Sequence, residues 1–299
     1  MFKRFSMVKA KRLMVDGLPK DRDRIISHGA HVMTINDADF YLRRAVALEE
    51  RWWISKALKG QRLMDEVLEN INKAITINPK DPVFHTYRGS IYARTQQHDK
   101  AIADYNRAIE IDELDPVNYI IRGLSLLVQK QFDQALMDFN EAVRLEPENE
   151  ETLYSRGIFY CTTRQFDMAI QDCNTAIKIN PNCAKAYAYR GLALSGLGQH
   201  KDALKDCNRA IKIDPLCGTI HENRGKVYFN MELYRKAIKD YNRAIKICPH
   251  DPEMYLNRGE AYQKIGQQKK AAEDLKRAGE LQGPLLKRGG LGELEEKLL

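Results

Sequence analysis

Long apolar runs, tryptophan and metal-ligand motifs are scarce in this chain, and each scarcity excludes something. No stretch of the 299 residues approaches the about 18 consecutive apolar positions of a membrane-spanning helix, so no membrane span is expected. No C-x-x-C and no secretory signal accompany the 6 cysteines, so free thiols in a reducing compartment are expected, with cytoplasmic placement. There is no H-E-x-x-H, the 7 histidines stand singly, and no glycine-rich loop is built to cradle phosphate. Catalysis needs a constellation, and none forms here. We therefore expect no enzyme, no cofactor, no metal and no small-molecule substrate. Positive charge looks plentiful at a formal +7, but residues 1–24 carry 8 Lys or Arg against 3 Asp. That arm holds +5, leaving +2 for the rest of the chain, which is a poor electrostatic footprint for nucleic acid.

What is present is a period. Gly89, Gly123, Gly157, Gly191, Gly225 and Gly259 fall 34 residues apart, a spacing that marks a repeat architecture. Twelve residues after each glycine stands Ala101, Ala135, Ala169, Ala203, Ala237 or Ala271, and seven further on Ala108, Ala142, Ala176, Ala210, Ala244 or Ala278. Two alanines seven apart share one helical face, so the glycine of an earlier helix is expected to pack on that face. Tyr105, Phe139, Cys173, Cys207, Tyr241 and Leu275 fill the space beside it. Pro147, Pro181, Pro215 and Pro249 end second helices, because proline cannot continue the hydrogen-bonded ladder. Each unit thus reads as a two-helix hairpin that is stable only when stacked on neighbours.

Charges keep the same phase. Arg88, Arg122, Arg156, Arg190, Arg224 and Arg258 precede the glycines, and Asp104, Asp138, Asp172, Asp206, Asp240 and Asp274 recur on the second helices. Sixfold repetition points to architecture, so we expect each Arg to pair with an Asp across the hairpin or with the neighbouring unit. His85 and His221 share one slot and are expected to pack.

Glycine, Tyr or Leu three residues on, two alanines flanking an aromatic, and a closing proline at this spacing resemble the tetratricopeptide repeat family. The family usually has Leu where arginine stands here before each glycine. The resemblance implies an all-α fold, a right-handed α-solenoid superhelix of antiparallel helical hairpins. Six repeats span 82–285, preceded by N-terminal helices over 37–81 that include a degenerate unit at 48–81. A basic non-repeat arm occupies 1–36, and a capping segment occupies 286–299. Two helices, Asp37 to Gly60 and Gln61 to Pro79, are expected in the degenerate unit, with Ser55 at the glycine's place and Trp52 and Trp53 packed over the open end of the stack.

The same resemblance implies a non-enzymatic interaction scaffold, in which first helices line a concave groove that receives a peptide or amphipathic helix of a partner protein. Groove positions lie two, three and six residues before the glycine and one, four and five after it. Carried onto this chain they give Val117, Ile120, Ile121, Leu124, Leu127 and Val128, then Tyr154, Ile158 and Cys161, then Ala188, Tyr189 and Leu192. Polar groups follow at Glu222, Asn223, Lys226, Asn230, Asn257, Glu260 and Lys264. Three occupations of these apolar places stay open: capture of a partner, packing between adjacent hairpins, and filling of the groove by the N-terminal arm. Family members that clamp a chaperone's C-terminal carboxylate use Lys, Asn, Asn, Lys and Arg at set places. Here Ala188, Leu192, Asn223, Glu253 and Asn257 stand there, so that role is not expected. An RNA-binding helical-repeat protein is the rival reading, with a ciliary or regulatory assembly factor as a third. The 34-residue period and apolar groove speak against RNA, since the pentatricopeptide relatives usually keep 35 and a basic groove.

Overall fold

A computed structural model describes residues 35–54 and 60–282, and every regular element among them is an α-helix. The chain divides into two compact units, 1–145 and 146–299. The first holds α1 (Ile35–Ile54), α2 (Gly60–Ile77), α3 (Pro82–Arg94), α4 (His98–Ile111), α5 (Pro116–Val128) and α6 (Phe132–Leu145). The second holds α7 (Glu150–Thr162), α8 (Phe166–Ile179), α9 (Ala184–Gly196), α10 (His200–Ile213), α11 (Gly218–Asn230), α12 (Tyr234–Ile247), α13 (Pro252–Lys264) and α14 (Gln268–Gln282). Within each unit consecutive helices pair as hairpins, and each hairpin packs on the next, which makes each an all-α repeat solenoid.

Local chemistry sets the boundaries. Asp81, Asp115, Asn149 and Asp251 cap first helices by accepting from the backbone N–H two residues on, and Pro82, Pro116 and Pro252 sit at the first helical position, where no N–H is needed. The turn inside each hairpin places one residue in the left-handed region: Gln96, Lys130, Arg164, Gly198, Glu232 and Gly266, again 34 apart.

The glycines behave differently from the expectation. A Cβ on Gly89 would lie 2.6 Å from the Tyr105 ring, and one on Gly225 would lie 2.5 Å from the Tyr241 ring. Alanine contributes only its backbone, as with the Ala203 carbonyl oxygen 2.9 Å from a Cβ on Gly191. Glycine therefore makes room for the large side chain between the two alanines, because that ring crosses the hairpin directly opposite it. The alanines themselves, from Ala101 to Ala278, are completely buried.

The degenerate unit is only half in phase. Its second helix ends at Ile77, 34 residues before the end of α4, and Val67, Ile71 and Ala74 are fully buried at the equivalent places. Its first helix, α1, begins at Ile35 and ends at Ile54, well ahead of the register of α3. Ser55, the packing of Trp52 and Trp53, the arm over 1–34 and the cap over 286–299 lie outside the described residues.

Candidate interaction surface

The arginine series fixes how first helices meet second helices. Arg88, Arg122, Arg156, Arg190, Arg224 and Arg258 each hold the aspartate 16 residues later in a bidentate pair, at 2.5–2.8 Å. Nη1 of Arg88, Arg122, Arg190, Arg224 and Arg258 donates backward to Asn72, Asn106, Asn174, Asn208 and Asn242, on the preceding hairpin. Sequence reading missed these asparagines, although the signal is there. An Asn follows each Asp by two residues from Asp104 to Asp240, and Lys276 stands at that place in the sixth repeat. Tyrosines flank the guanidinium faces, as with Tyr119 at 5.6 Å from Arg122 and Tyr187 at 5.4 Å from Arg190.

The environment of the aspartates is not uniform. Burial works upward on Asp104, yet Arg88 and the nearby His85 ring hold its carboxyl below the ordinary range. At Asp138, where no histidine helps, burial outweighs Arg122 and the carboxyl is raised. His85 and His221 are buried, each with Nε2 3.1 Å from a turn carbonyl, of Pro79 and Pro215. Tyr119 and Tyr255 donate their hydroxyls to the equivalent carbonyls of Glu113 and Pro249. That slot is a turn fastener.

In the first unit, the predicted groove residues all lie on α5. Ile120, Ile121, Leu124 and Leu127 are buried, Val117 is half-buried, and Val128 is 56% exposed. In the second unit, Tyr154, Ile158, Cys161, Ala188 and Tyr189 are buried and Leu192 is half-buried. Lys185 of α9 donates to the Tyr154 hydroxyl at 3.0 Å and lies 5.0 Å from its ring centroid. Burial, with Glu151 beside it, holds the Tyr154 phenol well above its ordinary range.

The polar end of the second unit is a network. Lys226 places its ammonium 2.8 Å from both Glu222 and Glu253, and the Asn257 amide donates to Glu222 at 2.9 Å. Burial pushes Glu222 up to about 7 against the pull of Lys226. Burial also works against the Lys226 charge, but the two glutamates outweigh it and hold the ammonium well above its ordinary range. Asn230 donates to the Ser195 hydroxyl at 3.1 Å, and Glu260 and Lys264 are exposed. Asn223 is only 2% exposed, and its side-chain nitrogen has no acceptor.

All 6 cysteines are free thiols. Cys173 and Cys207 fill the ring position opposite Gly157 and Gly191, and burial raises both thiols, Cys207 to about 12. No helix among the described residues is long and apolar enough to cross a membrane.

Comparison with known proteins gives a consistent result. Models described as tetratricopeptide repeat match residues 82–115, 150–183, 184–216 and 252–283, and a model described as TPR repeat matches 234–266. No curated protein matches the chain. Among solved structures, a tetratricopeptide repeat protein from Parabacteroides merdae is 19% identical, with a TM-score of 0.60 over 88% of this chain and 98% of its own. Cut9–Hcn1, described as an APC/C hetero-tetramer, is 13% identical, with a TM-score of 0.57 over 87% of this chain and 56% of its own. YrrB, described as a TPR protein with an unusual peptide-binding site, is 25% identical, with a TM-score of 0.41 over 61% of this chain and 94% of its own. With its phased glycines, its hairpins and these matches across the repeats, the chain belongs to the tetratricopeptide repeat family.

Proposed function

We propose that the chain is a non-enzymatic protein-interaction scaffold that holds a partner peptide or helix along its first helices. The observation that carries this is apolar surface left uncovered in the first-helix register, at Val128 in the first unit and Leu192 in the second. A peptide can cover this surface on either unit, and in the second unit Lys226, Glu253 and Asn257 add polar groups. The other predicted places, Val117, Ile120, Ile121, Leu124, Leu127, Tyr154, Ile158 and Tyr189, serve as the walls that hold these groups in position. Free thiols suit a reducing compartment, and we place the chain in the cytoplasm.

A peptide library selected on the wild-type protein supplies ligands for titration calorimetry. Val128→Asp and Leu192→Asp, each on one unit, are expected to weaken the selected peptides at least about tenfold, with helical content unchanged. Equal affinity for wild type and both variants would refute the first-helix face as the binding surface.

A further inference from the structure

The modest net charge of the repeats conceals a segregation of charge. Each second helix buries one aspartate in an arginine fork, and outside those forks α10, α12 and α14 carry 13 Lys or Arg against 3 acids, Asp202, Glu273 and Glu280. The three second helices before them, α4, α6 and α8, carry 4 against 5. One slot shows the change most plainly. The second residue of the helix is Asp99, Asp133 and Asp167 in the first three repeats and Lys201, Arg235 and Lys269 in the next three. The first turn of a helix favours an acid, because its unpaired N–H groups make that end positive. Cations kept there in three successive repeats work against helix stability, so their retention asks for a reason outside the helix.

All three of these helices belong to the second unit, whose hairpins stack in one register, so their basic rows share its second-helix side. Of the 13 cations, Arg277 is half-buried and the rest are exposed. Among the described residues only Lys205 and Arg277 hold a carboxylate, Asp202 at 2.8 Å and Glu280 at 2.9 Å on their own helices. On α12 no acid is exposed, and Lys239, Arg243 and Lys246 face water beside the buried Asp240. Nothing apolar interrupts the rows on α10 and α12, where every exposed residue is charged or Asn. The Tyr228 and Tyr262 rings are half-buried, with the ammonium groups of Lys236 and Lys270 at 5.6 and 5.4 Å from their centroids. Neither terminal segment offers negative charge to cover the patch: residues 1–34 are basic, and 283–299 hold 3 Lys or Arg against 3 Glu.

The chemistry of this surface selects its partner. A folded protein needs an apolar centre to its interface, and a membrane holds a protein firmly when apolar side chains enter it. The rows supply neither. Single strands are held by exposed aromatic rings on which bases stack, and α10, α12 and α14 expose none. A duplex needs only cations set against its phosphates, and the release of its condensed counterions drives the binding. We propose that the second-helix side of the second unit, over α10, α12 and α14, is a docking surface for the phosphate backbone of a double-stranded nucleic acid, bound without regard to sequence. The low net charge of the chain is no obstacle, since the surplus is gathered on one face. This surface uses second helices where the proposed groove uses first helices, and it does not depend on that reading.

The test follows the fluorescence anisotropy of a short labelled duplex of random sequence titrated with the full chain. Between about 50 and 200 mM salt the affinity is expected to fall at least about thirtyfold, as roughly three or more phosphate contacts require. The variant combines Lys201→Asp, Arg235→Asp and Lys269→Asp, which give the later helices the residue that the earlier ones carry. An acid suits the first turn, so its melting temperature should be unchanged or higher, while the duplex binds at least about tenfold more weakly and with a shallower salt dependence. A second variant, Lys3→Glu with Lys9→Glu and Lys11→Glu, changes the net charge equally in the basic arm and should keep the duplex affinity within about twofold. A single strand, polyglutamate, and vesicles of phosphatidylcholine with phosphatidylserine are each expected to bind more weakly than the duplex. No saturable duplex binding, affinity indifferent to salt, wild-type affinity in the helix variant, an equal loss in the arm variant, or tighter binding of any of the three competitors would each overturn the proposal.

Discussion

Gly225 and Gly259 occupy the same place in two repeats, yet their surroundings set opposite outcomes for one added methyl group. At Gly225 the Tyr241 ring stands 2.5 Å from a Cβ, so Gly225→Ala must displace a fully buried aromatic and is expected to cost about 1–3 kcal/mol. At Gly259 the nearest atoms are Asp274 Cβ at 3.4 Å and the Ala271 carbonyl at 3.5 Å, ordinary contact distances. Alanine there gains helix propensity, so Gly259→Ala should leave stability unchanged or raise it by up to about 1 kcal/mol. Urea titration of the two variants measures the difference, and equal destabilisation would show that the ring is not what glycine accommodates. The glycines are legible in the sequence as a period, but their packing partner is not. Alanine spacing alone reveals a shared face, and only the packed hairpin shows that the ring between the alanines points at the glycine.

At the scale of the helix pair, the arginine fork does what the hydrophobic pattern cannot. Apolar packing is tolerant of small slips, whereas a bidentate pair demands one relative position. Arg190→Ala would leave Asp206 with its buried carboxylate unpaired and Asn174 without its donor. We expect a loss of about 3 kcal/mol, with Asp206→Asn added to it recovering part of that loss. Thermal denaturation of the single and double variants decides it; an additive double variant would show that the two groups do not depend on each other. This ladder is readable in the sequence, because Arg and Asp repeat in step. The polar network around Lys226 is not, since Lys226 and Glu222 have no counterpart in any other repeat. Nor is the buried ion pair of Arg94 with Glu49, because Glu49 lies on α1, a helix out of register with the repeats.

Across the whole chain, repeated positions are legible and singular ones are not. The groove residues show this best: Ile120 and Tyr154 are enclosed while Val128 is open, although all three occupy the groove register. Register tells which face a side chain takes, and the size of its neighbours decides how much of it is covered. Charge has a global consequence too. Glu222 titrates near 7 in the folded protein against an ordinary value of 4.5, because burial disfavours its ionised form. The folded chain then binds more protons at this site than the unfolded chain between those values, so the contribution of Glu222 to stability is fully present below about 4.5 and is lost as pH rises through about 7. The contribution lost is on the order of 3 kcal/mol, with the pull of Lys226 already counted in it. Chemical denaturation of wild type and Glu222→Gln at pH 4.5, 6 and 8 checks the sign, with the variant expected to lose the slope.

Arg88, Arg122, Arg190, Arg224 and Arg258 each look sixteen residues ahead to an aspartate and sixteen behind to an asparagine. That asparagine follows its own aspartate by two from Asp104 onward. Two such reaches and the short step between them make up the thirty-four-residue interval, so the side chains act as a gauge for the spacing of the backbone. An insertion of a single residue in a connecting turn would put one jaw of the gauge out of reach. A family of descendants of this sequence should therefore tolerate changes of letter far more readily than changes of length.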